Sequence, residues 1–165
     1  MAAATPVCDR AAVHRNVAAV VSAAREAGLD IEPREFPEGT RTAEDAARAI
    51  GVSVGQIVKS LVFEVDGRPV MALVSGADQL DEEKLGAAAG GTRARRADAD
   101  AVRRATGFPV GGVPPLGHRL PVFVDVGLLA FDVVWAAAGT PHVVFGVGPD
   151  ALVAAAAAKV CDLAR

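Results

Sequence analysis

Soft metal ligands are scarce in this chain. Its 165 residues include two cysteines and three histidines. Cys8 and Cys161 lie near opposite ends, and His14, His118 and His142 are scattered, so none stands at metal-ligand spacing from another. No zinc site, metal or cofactor is therefore expected, and each cysteine reads as a small reduced hydrophobe or terminal bystander, with a bridge between the termini as the alternative. Long apolar runs are missing too. Although 52% of the residues are hydrophobic, most of these are Ala and Val, and no uninterrupted stretch reaches the roughly 18 residues of a membrane span. Met1-Ala2-Ala3-Ala4-Thr5-Pro6 has no basic start leading into an apolar core, so no secretory signal is expected and the location reads as cytoplasmic. A formal charge of -3 argues against a dedicated duplex binder, which is normally basic overall. Local basicity remains. Arg93, Arg95, Arg96, Arg103 and Arg104 fall within twelve positions, either touching phosphates or forming a solvated face with Asp98 and Asp100.

The length suits one domain, residues 1–165, with a core of ordinary size. Helical spacing of Val13, Val17, Val20 and Val21 predicts a helix from Asp9 to Ala27, stopped by Gly28. A short strand, Ile31 to Phe36, ends at Pro37-Glu38-Gly39. Thr42 then stands three residues before Asp45 and caps a short helix that closes at Gly51. The Asp66-Gly67 dipeptide between Val58–Val65 and Arg68–Val74 is the strongest hairpin signal, because both turn positions tolerate positive φ. Further helices are expected over Asp81–Ala89 and Asp98–Thr106, with a brief strand, Thr92–Arg96, between them. Strands follow at Val122–Val126, Phe131–Ala137 and His142–Val147, and a final alanine-rich helix at Asp150–Lys159. From Gly107 to Pro121, glycine and proline exclude regular structure, while Phe108, Val110, Val113 and Leu116 give the loop an apolar anchor. The architecture predicted is α+β: a single domain with a mixed, mostly antiparallel sheet and flanking helices.

Lys59 is the residue out of place. It sits within Ile57-Val58-Lys59-Ser60-Leu61-Val62-Phe63, sharing a strand face with Leu61 and Phe63 while Ser60 shares the other with Val58 and Val62. A buried, unpaired ammonium costs several kcal/mol, so it finds an anion, snorkels to water or loses its proton. A ligand phosphate or carboxylate could be that anion, and so could a neighbouring Asp.

Two apparent catalytic motifs carry little. Gly51-Val52-Ser53-Val54-Gly55 fits G-x-S-x-G, and Ser53, Asp125 and His142 occur in hydrolase order. The nucleophile elbow needs a strand before the serine and a helix after it, and here the order is reversed. Gly146-Val147-Gly148 lacks the third glycine of a dinucleotide loop.

Taken together, TAEDAARAIGVSVGQIVKSLVF, TGFPVGGVPPLGH and GTPHVVFGV resemble the YbaK family, editing domains related to the insertion domain of bacterial prolyl-tRNA synthetases. The resemblance covers roughly residues 42–162, and Thr106, Gly107, Phe108, Gly111, Gly112 and Pro114 fill its loop motif. Phe108 stands where tyrosine is common, and Pro114-Pro115 replaces Ser-Pro, removing a serine hydroxyl. The resemblance implies a sheet curled around a pocket and hydrolysis of the ester in mischarged aminoacyl-tRNA. Under it Lys59 engages the acceptor-end backbone, and the amides of Gly111 and Gly112 polarise the ester carbonyl. Water, activated largely by the substrate's own ribose hydroxyl, is the implied nucleophile. Phe36, Thr42, Pro114, Gly139 and His142 join as substrate-binding positions, with core packing, helix capping or turn formation as their plainer alternatives. His142 in particular implies a small amino acid, and Asp125 is either a site acid or a turn residue.

The expected activity is therefore a free-standing deacylase that clears alanine or cysteine, for instance from tRNA for proline. Its partners would be the aminoacyl-tRNA acceptor end and a synthetase. The alternative is a noncatalytic module of the same fold that binds tRNA or a synthetase. A lysine Schiff-base enzyme is a third class, distinguishable by borohydride trapping.

Overall fold

The computed structural model describes residues 5–6, 14–37 and 42–165. In chain order the elements are β1 Thr5–Pro6, α1 His14–Glu26, β2 Arg34–Glu35, α2 Ala43–Ile50, β3 Val58–Val65 and β4 Arg68–Ser75. They continue with α3 Glu82–Ala88, β5 Arg95–Arg96, α4 Ala99–Thr106, β6 Val122–Asp125, β7 Val134–Ala137, β8 Val143–Val147, α5 Pro149–Ala156 and β9 Lys159–Cys161. Short 3-10 turns precede β3, at Val54–Gln56, and follow β6, at Val126–Ala130. The α+β class stands. The expected helix start at Asp9, the residue Cys8 and the Glu38-Gly39 break lie outside the described residues.

Local chemistry sets most of these boundaries. Asp66 and Gly67 take φ 51 and 78, and β3 and β4 pair antiparallel from Val58↔Ser75 to Val65↔Arg68. Three helices open on side-chain caps. Asp45 N–H donates to Thr42 Oγ1 at 3.0 Å, Ala101 N–H donates to Asp98 at 2.8 Å, and Asp81 accepts from Glu83 N–H and Lys84 N–H. Each such cap contributes about 1 kcal/mol. Thr106, Gly107 and Phe108 form an anchor: Gly107 ends α4 in the left-handed region, Thr106 Oγ1 accepts from Phe108 N–H at 3.1 Å, and the Phe108 ring enters the core.

Two hydrogen-bonded sheets form rather than one. The first runs β1-β2-β8-β7, antiparallel throughout. The second runs β5-β3-β4-β6-β9, where β6 lies parallel to both β4 and β9. A parallel bridge, Ile57↔Trp135, joins them at one corner. One apolar cluster spans both sheets, with Val58, Met71 and Val122 from the second meeting Val134 and Phe145 from the first. The expected strand Ile31–Phe36 shrinks to Arg34–Glu35, and the expected C-terminal helix ends early. Ala157 adopts φ 49, and Lys159–Cys161 turns into β9 beside β6.

Candidate functional site

Ile57↔Trp135 is the one bridge between the two sheets among the described residues, and β5 pairs with β3 only at Phe63 and Glu64. The stretch of β3 between these points borders a cleft of about 380 Å³. Its walls come from the start of α2, the β3 segment Ile57–Val62, Arg96 and Ala97, the loop around Val110–Val113, the end of β7 and the Thr140–Pro141 turn. Val113, Ala136 and Val143 are buried and make much of the wall apolar. A concave, largely apolar space with few polar groups is the usual form of a small-ligand site.

Thr42, Lys59 and Gly111 all line this cleft. The face assignment of β3 is as the alternation demanded: Val58 and Val62 join the core spanning both sheets, while Leu61 and Phe63 pack in a second cluster around Leu85. Lys59 is half-buried, and its Nζ donates to the Asp78 carbonyl oxygen. Burial lowers the pKa of this ammonium; the charges of Asp78 and Glu44 oppose the shift, and Arg96 adds to it. A neutral carbonyl meets a donor of the ammonium but does not neutralise it, so affinity for an added anion persists.

The two loop glycines differ in their reasons. Gly112 N–H donates to Pro109 O at 3.0 Å, closing a turn in which Gly111 takes φ +87, the third-position geometry of a type II turn. A Cβ on Gly111 would meet nothing nearer than Pro141 at 3.8 Å. At Gly112 it would sit 2.7 Å from the Thr140 Cα, so this glycine exists for close packing of two backbones. The Gly112 amide, expected to face the ester, is therefore taken by the turn. Gly111 N–H has no partner among the described residues.

The remaining sequence candidates are not brought into the lining. Phe36 is buried, its N–H donating to His142 O at 2.8 Å, and the His142 side chain is exposed. Pro114 and Gly139 are buried, and a Cβ on Gly139 would meet Asn16 at 3.0 Å. Asp125 is a structural acid. It is 2% exposed, and its carboxylate accepts from Gly127, Leu163 and Ala164 N–H at 3.0, 2.7 and 3.2 Å, tying the C-terminal segment to β6. Ser53 bonds Gln56, and a Cβ on Gly55 would strike the Phe131 ring at 2.8 Å. The G-x-S-x-G match thus records a helix stop and a packing contact.

Sequence reasoning missed two hydroxyls. Ser60 Oγ and Thr140 Oγ1 belong to cleft-lining residues, are buried, and have no hydrogen-bond partner among the described residues. An unpaired buried hydroxyl costs about 1–3 kcal/mol, which marks both as sites where the wall is polar without internal satisfaction. The signal for Ser60 was present, a lone hydroxyl between Val58 and Val62 on an apolar face. Thr140 gave none, because its backbone lies against Gly112, 28 positions upstream.

Comparison with known proteins gives this geometry a context. The family described as the aminoacyl-tRNA editing domain matches residues 37–155. The protein YwhH of Bacillus subtilis is 35% identical over 120 residues, covering 72% of this chain and 76% of that one. The proline–tRNA ligase of Maridesulfovibrio salexigens is 39% identical over 92 residues, covering 55% of this chain and 16% of the ligase. The chain thus corresponds to a small part of that enzyme. A crystal structure described as a candidate trans-editing enzyme for prolyl tRNA synthetase superposes with a TM-score of 0.86 at 42% identity. That match covers 92% of this chain and 98% of the other.

Proposed function

Since the chain belongs to the aminoacyl-tRNA editing domain family, we propose that it is a deacylase that hydrolyses mischarged aminoacyl-tRNA. The substrate is a small amino acid, alanine or cysteine, esterified to tRNA for proline. The observation that carries this reading is one cleft lined by Lys59, Gly111 and Thr42 with apolar walls of Val113, Ala136 and Val143. The charged acceptor end meets the ammonium, and the small side chain enters the apolar part. A synthetase that hands over the tRNA is the expected partner, and the cytoplasm is where such substrates are found.

Each group has a definite task. Lys59 holds the anionic backbone of the terminal nucleotides, trading its carbonyl partner at Asp78 for a charged one. Gly111 N–H donates to the ester carbonyl as negative charge develops on its oxygen, a task for which a Cβ-free backbone at the cleft surface is suited. Water adds to the carbonyl carbon and the bond to the ribose oxygen breaks, releasing amino acid and free tRNA. The ribose hydroxyl beside the ester relays the proton, accepting it from that water while passing its own to the departing ribose oxygen, so the protein needs no nucleophilic side chain. Editing is needed because a synthetase pocket separates similar small side chains by only about 1–3 kcal/mol.

Purified protein incubated with alanyl-, cysteinyl- and seryl-tRNA for proline, with the prolyl form as control, tests the reading. Hydrolysis of the alanyl or cysteinyl ester well above the buffer rate, with the prolyl ester spared, is the expected result. Lys59→Ala should reduce the rate by at least tenfold. Equal rates for wild type and Lys59→Ala would remove the lysine from its assigned task, and binding of charged tRNA without hydrolysis would establish a noncatalytic module instead.

A further inference from the structure

The cleft does not end at Ala97. A second cavity of about 230 Å³, lined by Val62, Glu64, Pro69, Ala97, Ala101, Arg104 and Ala105, shares both Val62 and Ala97 with the first. The two cavities adjoin at Val62 and Ala97, one holding Lys59 and the other bordered by α4. The arginine-rich segment divides around them in a way the sequence alone left open. Arg93 is held by Glu82 through two contacts of 3.0 Å, and Arg95 reaches Glu64 at 3.5 Å, which offsets the one carboxylate among the second cavity's lining residues. Arg96 lines the first cavity and Arg104 the second; both are exposed, and neither has a carboxylate partner among the described residues.

We propose that the two cavities act as one groove, the track for the single-stranded 3′ end of the RNA, with Arg96 and Arg104 holding successive backbone phosphates upstream of the nucleotide in the cleft. The inference rests on the deacylase reading, which places the esterified terminal nucleotide beside Lys59. The preceding nucleotides must then leave the cleft, and the groove offers them two uncommitted guanidinium groups above an apolar floor of Val62, Pro69, Ala97, Ala101 and Ala105. A chain of net charge -3 cannot attract RNA by diffuse basicity, so its phosphate contacts must be local. A strand rather than a duplex is the occupant because the second cavity adjoins a site for a free end.

Fluorescence anisotropy with a labelled single-stranded RNA ending in CCA, at low and moderate salt, tests the track without reference to hydrolysis. R96A and R104A should each weaken binding about tenfold at low salt and together lower the slope of log affinity against log salt by about 1.4, as two lost single-strand phosphate contacts require. R93A, whose guanidinium is held by Glu82 away from the groove, should bind within twofold of wild type. Equal losses in R93A and R96A would overturn the track in favour of diffuse attraction, and so would groove variants that bind like wild type. No binding by wild type, or equal affinity for a blunt RNA duplex, would also overturn it. Arginine-dependent binding in a protein that hydrolyses none of the charged tRNAs would uphold the track while removing the deacylase reading.

Discussion

Lys59 holds its charge where burial opposes it, and this has a consequence that can be measured. Burial lowers its folded pKa below the ordinary value of 10.5, against the favourable charges of Asp78 and Glu44. The unfolded chain therefore keeps the proton to higher pH than the folded chain does. Where the unfolded state binds more protons, stability rises with pH. Wild type should gain stability relative to Lys59→Met as the pH climbs from the folded pKa of Lys59 towards 10.5, with a constant difference below that window. Urea midpoints across an alkaline series check the sign, and a gap that moves against wild type with rising pH would show that the amine is not desolvated. Under the proposed reading, an RNA phosphate at Lys59 should reverse the pKa shift, because it favours the ammonium. The residue itself was legible in the sequence, since a lysine within an alternating apolar strand demands a partner. Its actual partner, the Asp78 carbonyl, was not, because it comes from the loop after β4, 19 positions away.

At the scale of elements, the loop between α4 and β6 is where sequence and structure part most usefully. Its order was readable from Phe108, Val113 and Leu116, which are 6%, 4% and 5% exposed, but Val110, expected to anchor it with them, is 54% exposed. The reason for its paired glycines was not readable, because Gly112 answers to Thr140 in a turn 28 positions downstream. The hairpin at Asp66-Gly67 and the caps at Thr42, Asp81 and Asp98 were legible because each is decided within four residues. Strand β9 was hidden by the alanines before it, whose helix propensity runs past the point where Ala157 turns left-handed and the chain docks on β6. Different origins for the two glycines predict different costs. Gly111→Ala strains a φ of +87 in open space and should cost about 1–2 kcal/mol, whereas Gly112→Ala drives a Cβ into the Thr140 backbone. The second change should cost about 1–3 kcal/mol by overpacking and also push the Thr140–Pro141 turn out of the cleft wall. Chemical denaturation together with the deacylation rate separates them: Gly112→Ala should lose activity beyond its loss of stability. If Gly112→Ala were as stable and active as wild type, the close approach of the two loops would be wrong.

Over the whole molecule, the site depends on two sheets that share few hydrogen bonds and a common interior. Their backbones meet at Ile57↔Trp135, and residues of both β3 and β7 line the cleft. What holds the halves in register is the shared core. Val58, Met71 and Val122 on one side pack in the same cluster as Val134 and Phe145 on the other, with Val17 and Val20 of α1 and Leu152 of α5 closing it. At about 25 cal/mol per Å² of apolar surface buried, a core shared in this way outweighs the few backbone bonds at the corner. The sheets should therefore unfold as one unit. Trp135 is the chain's one tryptophan, and it lies on the four-stranded sheet at the corner where the two meet. Its fluorescence reports that corner, while far-UV circular dichroism reports both sheets and all helices. In urea the two signals should give one midpoint and one slope, as two-state unfolding requires. A fluorescence transition that precedes the dichroism change would mean that the four-stranded sheet opens separately. The cleft would then be an interface between two folding units, and Lys59 and Thr140, which lie on opposite sides of it, would be held together by less than the common core implies.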